Sequence, residues 1–219
     1  MNLNTDYMVS LIPTFNNAAL LTLQLTFWGV LYSFIIGLFG NFIYYYKIKG
    51  LTSIVKFYTE LSRNTPLLAQ LFFLFFGLPQ LGIVLSGFTS GVIGLTFLGG
   101  SYMIEGVRGG VEAVSKTQIE SAKSLALSKT QILVYVIIPQ GIKTAIPSIS
   151  ANTIFLLRES SVVGAIAVME LMHVARTEIS IFFRTDEVLI MLTVYYLILI
   201  APLSVLFYFI ERRLRRGDI

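Results

Sequence analysis

The sequence predicts an all-α, polytopic membrane helix bundle of about five transmembrane helices, with a short helix held between two of them on the cytoplasmic side. Three observations carry that prediction. Of the 219 residues, 55% are hydrophobic and 13% charged, and the mean hydropathy is +0.78, a composition outside the soluble globular range. Charge-free runs are long enough to cross a bilayer, whose hydrocarbon core of ~30 Å takes about 20 residues at about 1.5 Å each. Lysine and arginine gather at the ends of those runs, which fits membrane topology and not a nucleic-acid surface.

The elements follow in order. Nothing is charged between Asp6 and Lys47, too long for one span, so Pro13 to Asn17 is assigned to an outer segment and the first span to Ala18–Tyr46. Tyr44, Tyr45 and Tyr46 then form an interfacial belt. The start, MNLNTDYMVSLIP, has no basic residue before its apolar part and carries Asp6. That is not the layout of a cleaved secretory signal, so the N-terminus is expected to stay in the mature chain. Residues 51 to 64, LTSIVKFYTELSRN, mix apolar and charged positions as a short helix lying on the inner surface would. The uncharged run from Asn64 to Ile104 holds two spans, divided by Pro79 and the glycines of GLPQLGIVLSGFTSG into 66–84 and 88–107. A fourth segment starts near Ile132, holds Pro139 and Pro147, enters the bilayer proper after Lys143 and ends about Met169. The fifth runs from about Val188 to Ile210.

With the N-terminus outside, the cations from Lys47 to Arg63, those from Arg108 to Lys143, and Arg212, Arg213, Arg215 and Arg216 fall inside. Only Arg176 and Arg184 lie outside, and the opposite orientation would invert this asymmetry. The chain has no cysteine and one histidine, His173, in no ligand spacing, which argues against metal chemistry.

The pentapeptide SKTQI occurs at Ser115–Ile119 and again at Ser128–Ile132. Each copy has the Ser-x-x-Gln form of a capping box, so two helix starts stand thirteen residues apart. The first helix is therefore short, roughly Lys116–Ala126, and the second leads into the fourth span. Ile119, Ala122 and Ala126 share a face on the first, where the alanines permit close approach. That pattern fits a docking surface and equally a loop helix packed on its own bundle.

The run ESAKSLA, Glu120 to Ala126, followed by VIIP, Val136 to Pro139, resembles the EAA loop of ATP-binding-cassette (ABC) importer permeases. That loop has the form EAA, three residues, Gly, nine residues, Ile-x-Leu-Pro. Glu120, Ala122 and Pro139 match outright, Ser121 takes the second position, and Ala126 replaces the glycine. The glycine ends the helix in the left-handed conformation, which costs an alanine about 1 kcal/mol, so the turn is where a difference in shape is expected. TELSRNTPLLAQLFFLFFGLP, Thr59 to Pro79, and SYMIEGVRGGVEAVSKTQ, Ser101 to Gln118, are similar to segments of the polar amino acid permeases. IPSISAN and FLLRESS, between Ile146 and Ser161, continue the match, which covers about Leu20 to Arg216. On this resemblance the chain is identified as a member of the binding-protein-dependent transport system inner-membrane component family.

The resemblance implies the type I ABC importer permease fold, one permease domain over 1–219 with its coupling loop at about 115–139. It implies docking of a cytoplasmic ATPase dimer through Ile119, Glu120, Ala122, Lys123 and Ala126. No cofactor is expected in this chain, because it contains no GxxxxGK[ST] and ATP with magnesium would be bound by the ATPase. A second permease chain, a soluble amino-acid-binding protein and a polar amino acid complete the implied partners, in the inner membrane with the C-terminus cytoplasmic.

Ionisable groups within a bilayer cost roughly 2.5 to 3.5 kcal/mol on insertion scales, so they face a cavity or a partner. Glu105, Arg108, Arg158 and Glu159 are such groups. Glu105 and Glu159 are candidates for the ammonium of an amino acid and Arg158 for its carboxylate, with Asn152 and Ser160 as further pathway candidates. Structural ion pairs explain the same residues. Arg63 and Asn64 are assigned to the elbow before Pro66. An ion-coupled carrier using Glu105 and Glu159 is the alternative function, as is a permease for another small polar solute. An intramembrane enzyme has no GxSxG, HExxH or aspartate pair to stand on.

Overall fold

The computed structural model describes residues 3–215, which are helical throughout apart from short turns, with no strand among them. Arg216, counted above among the inner cations, lies outside the described residues. The first helix, α1, runs without interruption from Thr5 to Tyr46. At about 1.5 Å per residue its 42 residues extend ~63 Å, about twice a hydrocarbon core. Pro13 to Asn17 therefore belong to α1, not to a separate outer segment. Pro13 removes only one helical hydrogen bond, and Leu11 and Phe15 beside it are buried against residues of the later helices. Asn4 caps α1, accepting from the Tyr7 N–H at 3.0 Å, and its own N–H reaches Glu187 at 3.1 Å.

Helix α2 spans Leu51–Arg63, as the mixed apolar and charged pattern predicts. Tyr58 and Ser62 donate from it to the carbonyl of Phe97, at 2.7 and 2.8 Å. Helix α3, Leu67–Phe72, continues through a π turn, Phe73–Gly77, and a 3₁₀ turn, Leu78–Leu81. Gly82 at φ 81° closes it. The whole run is ~22 Å long at helical rise, short of a full span. Four helices among the described residues are long and apolar enough to cross a membrane, and Leu67–Leu81 is a shorter apolar one. The second expected span is thus present as a helix shortened by Pro79 and its flanking glycines.

Helix α4, Gly87–Glu112, is the centre of the bundle. Helix α5 covers Lys116–Ser124, α6 covers Lys129–Ile132, and a π turn, Leu133–Ile137, joins α6 to α7, Ile138–Glu159. The N–H of Ile138 bonds back to Leu133 across that wider turn, one residue before Pro139, which has no N–H to give and would crowd a regular helix. A 3₁₀ turn, Ser160–Ile166, ends the segment, so the fourth span is continuous from Lys129 to Ile166.

Beyond it, between the fourth and fifth expected segments, stands α8, Leu171–Phe182, and α9, Thr185–Arg215, is the last span. Leu171, Val174 and Ala175 of α8 pack with Phe15, Ala18 and Val188.

Close approach organises α4. A Cβ on Gly37 or Gly40 of α1 would strike Met103 or Ile104, and one on Gly110 would strike the backbone of Gly141 and Ala145. The α1 contacts advance along α4 in the same sense and the α7 contacts in the opposite sense, so α1 and α4 are parallel and α7 is antiparallel to both. Small residues let helices associate this tightly where lipid offers no hydrophobic drive. Polar groups inside are satisfied by neighbouring backbone: Asn41 donates to Gly37 O and Ile104 O, both at 2.9 Å.

The carboxylate of Glu170, fully buried, caps α8 by accepting from the N–H groups of Met172 and His173 at 2.8 and 2.7 Å. Burial pushes its pKa up to about 7 from 4.5, against the opposing pull of those two N–H groups and of Arg176. Between those values the folded chain keeps a proton that the unfolded chain releases, so stability falls as pH rises through the window and levels off above it. Thermal unfolding in detergent is expected to give a lower Tm at pH 8 than at pH 5. Glu170→Gln should shrink that difference, and an undiminished difference in the variant would assign it to other groups.

Candidate functional site

The loop between α4 and α7 is held at both ends by local hydrogen bonds. At Ser128 the expected capping box forms: its hydroxyl accepts from the Gln131 N–H at 3.3 Å and its N–H donates to the Gln131 side chain at 2.8 Å. At Ser115 it does not, although the pentapeptide is the same, because the backbone turns at ψ 132° there against 159° at Ser128 and the hydroxyl makes no cap bond. Ser115 contributes its carbonyl alone, to the N–H groups of Gln118 and Ile119.

The end of α5 is a Schellman turn. The N–H of Leu127 bonds to Ala122 O at 3.2 Å, the N–H of Ala126 to Lys123 O at 2.9 Å, and Ala126 sits at φ 57°. The left-handed geometry that favours glycine is thus adopted by alanine, and the turn does not change shape as expected from the substitution. Leu127 packs beside Ala122, Val114, Ile132 and Ile137, the apolar contact that accompanies such turns and offsets the strain.

Of the five docking candidates, Ala122 is 4% exposed and packs with the half-buried Ile119 on the chain's own bundle. Glu120, Lys123 and Ala126 are exposed. Sequence reasoning missed Leu125, which is 76% exposed at the tip. Its signal is an apolar side chain out of phase with the Ile119–Ala122 face.

A charged cavity of about 630 Å³ opens between α2 and α4 near the same end, lined by Tyr44, Glu60, Arg63, Tyr102, Glu105 and Arg108 among others. Glu105 accepts from Arg108 at 2.9 Å and lies 3.8 Å from Arg63. Both guanidinium groups also lie over rings, Arg63 5.2 Å from the centre of Tyr102 and Arg108 5.7 Å from that of Tyr44. Arg63 is therefore a cavity residue as well as part of the elbow. The spacing of Lys56, Glu60 and Arg63 on one face of α2 was the signal that could have found it.

Asn152 joins this region, its amide donating to Tyr102 O at 3.0 Å. Arg158, Glu159 and Ser160 do not. Glu159 is seven residues past Asn152, ~10 Å along the helix, at the level where Leu156 meets Gly99. Glu105 and Glu159 consequently do not converge on one ammonium group within a single chain, because α4 holds Glu105 near the α5 end while the antiparallel α7 carries Glu159 toward the other end. The Ser160 hydroxyl is buried and donates to Leu157 O at 2.7 Å. Arg158 is exposed and Glu159 half-buried.

The match with known proteins fits this architecture from end to end. Residues 33–216 match the model of the binding-protein-dependent transport system inner membrane component. The chain belongs to that family. As an inner membrane component with several spans it is a multi-pass membrane protein and a part of a transport system. The probable glutamine ABC transporter permease protein GlnM of Bacillus subtilis is 36% identical over 73% of this chain and 74% of its own length. The probable amino-acid ABC transporter permease protein PatM of Vibrio harveyi is 31% identical over 90% of this chain and 89% of its own. Among solved structures, an amino acid ABC transporter crystallised with histidines superimposes with a TM-score of 0.90 at 34% identity, covering 97% of this chain and 100% of that one. The MetNI methionine ABC transporter in an inward-facing form shares the fold, with a TM-score of 0.80 at 18% identity.

In this family member the left-handed alanine carries strain that a glycine relieves, of about 1 kcal/mol. Ala126→Gly is expected to slow tryptic cleavage at Lys123 and Lys129 roughly fivefold if cleavage follows local opening. Unchanged or faster cleavage would mean that Ala126 is not strained.

Proposed function

We propose that this chain is the transmembrane subunit of an ATP-driven importer of polar amino acids, receiving substrate from a soluble binding protein and passing it through a cavity shared by two permease chains. The observation that carries the proposal is the α5 loop. Glu120, Ala122 and Pro139 stand in the register of an EAA loop, and the helix closes in a left-handed turn at the motif's glycine position. The names of the relatives, glutamine and amino-acid permeases, support the substrate class.

In this reading α5 is the coupling helix. Its Ile119–Ala122 face is anchored on its own chain, while Glu120, Ala126 and the exposed Leu125 meet the ATPase. Lys123 serves at the edge of that surface. ATP and magnesium belong to the ATPase dimer, and closure of the dimer moves α4 and α7 through the hydrogen-bonded turns at either end of α5. The orientation places the N-terminus outside and α5 in the cytoplasm, supported by the crowding of Lys47, Lys49, Lys116, Lys123 and Lys129 at the α5 end against Arg176 and Arg184 at the other.

Glu105 is occupied by Arg108 and Arg63, so it shapes the inner cavity and is not a free ammonium acceptor. Arg158 and Glu159 have no ion-pair or hydrogen-bonding partner among the described residues, and a desolvated zwitterion would satisfy both. Ser160, its hydroxyl committed to the backbone, positions the turn beside them.

Co-reconstitution with the cognate ATPase and binding protein tests the proposal. Glu120→Lys is expected to cut ATP-dependent amino acid uptake by more than about tenfold, as reversal of one charge at a docking surface would, with bilayer insertion unchanged. Unchanged uptake would refute docking through α5. Uptake driven by an ion gradient with no ATPase present would favour the carrier reading instead.

A further inference from the structure

Two further cavities join at the α5 end of the bundle. The first, of about 440 Å³, is an apolar groove between α1, α4 and the α6–α7 segment, lined by Leu38, Phe42, Val107, Val111, Ile138 and Ile142 among others. Its polar wall residue Asn41 has its amide donor committed to Gly37 O and Ile104 O. The second, of about 790 Å³, is bounded by Lys47, Arg108, Lys123 and Lys129 with Glu112 as its one carboxylate. Asn41, Tyr45 and Val111 line both, so the greasy groove opens into the basic chamber.

The chamber's positive charge is only partly compensated. Arg108 is held by Glu105 and lies 3.8 Å from Glu112, and Lys129 rests over Tyr45 and Tyr46 at 5.2 and 4.8 Å. Lys47 and Lys123 have no carboxylate partner among the described residues and come from different elements, the end of α1 and α5. Tyr45, between groove and chamber, marks headgroup depth.

We propose that this pair of cavities is a binding site for an anionic glycerophospholipid, with an acyl chain in the apolar groove and the phosphate in the basic chamber. A soluble anion would leave the groove unfilled, and a zwitterionic lipid would bring a cation beside Lys47 and Lys123. Basic chambers flanking spanning helices take anionic headgroups for this reason. The bound phosphate bridges α1 to α5, so the lipid ties the short helix to the first span. The proposal requires a membrane-spanning chain but not amino acid import, and the two stand or fall separately.

The test is native mass spectrometry of the full chain, with any subunits that copurify, after equilibration with equal phosphatidylglycerol and phosphatidylcholine of matched acyl chains. Wild type is expected to retain phosphatidylglycerol over phosphatidylcholine by roughly 20-fold. Lys47→Gln and Lys123→Gln should each lower that ratio about fivefold, one surface cation's share. Lys56→Gln, on α2 outside the chamber, should leave it unchanged, and Ile142→Trp, which fills the groove, should lower retention of both lipids. Equal retention of the two lipids by wild type would overturn the proposal whatever the variants do. So would a ratio unaffected by Lys47→Gln and Lys123→Gln, or displacement of the lipid by an equal concentration of soluble glycerol phosphate, which would make the chamber a phosphate site with no lipid.

Discussion

At Gly110 and Gly141 the backbones of α4 and α7 approach too closely to admit a methyl group on α4, and the rest of the molecule is arranged around that contact. In a bilayer the lipid tails are as apolar as leucine, so helices gain by fitting closely and by hydrogen bonding. The glycines of α1 and α4 supply the fit, and Asn41, Ser62 and Tyr58 supply bonds to α4 carbonyls. Helix α4 is thereby fixed between α1 on one side and α7 on the other. Gly110 lies close to the end of α4, and Gly141 close to the start of α7, so this backbone contact sits at the root of the α5 loop.

That placement has a mechanical consequence. A nine-residue helix has little stability of its own in water. Here α5 is closed by a Schellman turn at Ala126, followed by a full capping box at Ser128, and seated by Ala122 on Val114, Ile132 and Ile137. It behaves as part of the bundle and not as a loop, so a force on Glu120 or Leu125 reaches α4 and α7 with little lost to bending. The charged cavity around Glu105 borders the same end of α4, where a displacement of that end would change its shape.

Much of this was legible in the residues. The α2 amphipathic pattern and the register from Glu120 to Pro139 are properties of spacing, and spacing survives folding. The failures have physical causes too. A ruler of charge-free runs cannot see α8, which carries Arg176 on its exposed side and Glu178 bonded to the Tyr7 hydroxyl while Leu171, Val174 and Ala175 face in. The same ruler reads 66–84 as a span because hydropathy records composition and not the turns at Gly77, Pro79 and Gly82. Pro13 looked like a boundary, but buried neighbours on both sides carry α1 through it. The two copies of SKTQI cap differently because a hydroxyl's reach depends on a backbone angle that the pentapeptide does not fix. Glu105 and Glu159 looked like one site because depth along α7 is set by packing against α4, through glycines whose α7 partners lie 31 to 57 residues away in sequence.

The central claim is that α5 is rigidly continuous with α4 and α7. The chain has no cysteine, so Ala113→Cys and Ser121→Cys, both at exposed positions, can carry spin labels without a background. Pulsed electron paramagnetic resonance on the reconstituted transporter measures the distance between them within a chain, with and without a nonhydrolysable ATP analogue. A narrow distribution with the same centre in both states is the predicted result. A distribution that broadens or shifts on nucleotide binding would contradict the claim, because α5 would then be hinged on α4 instead of moving with it.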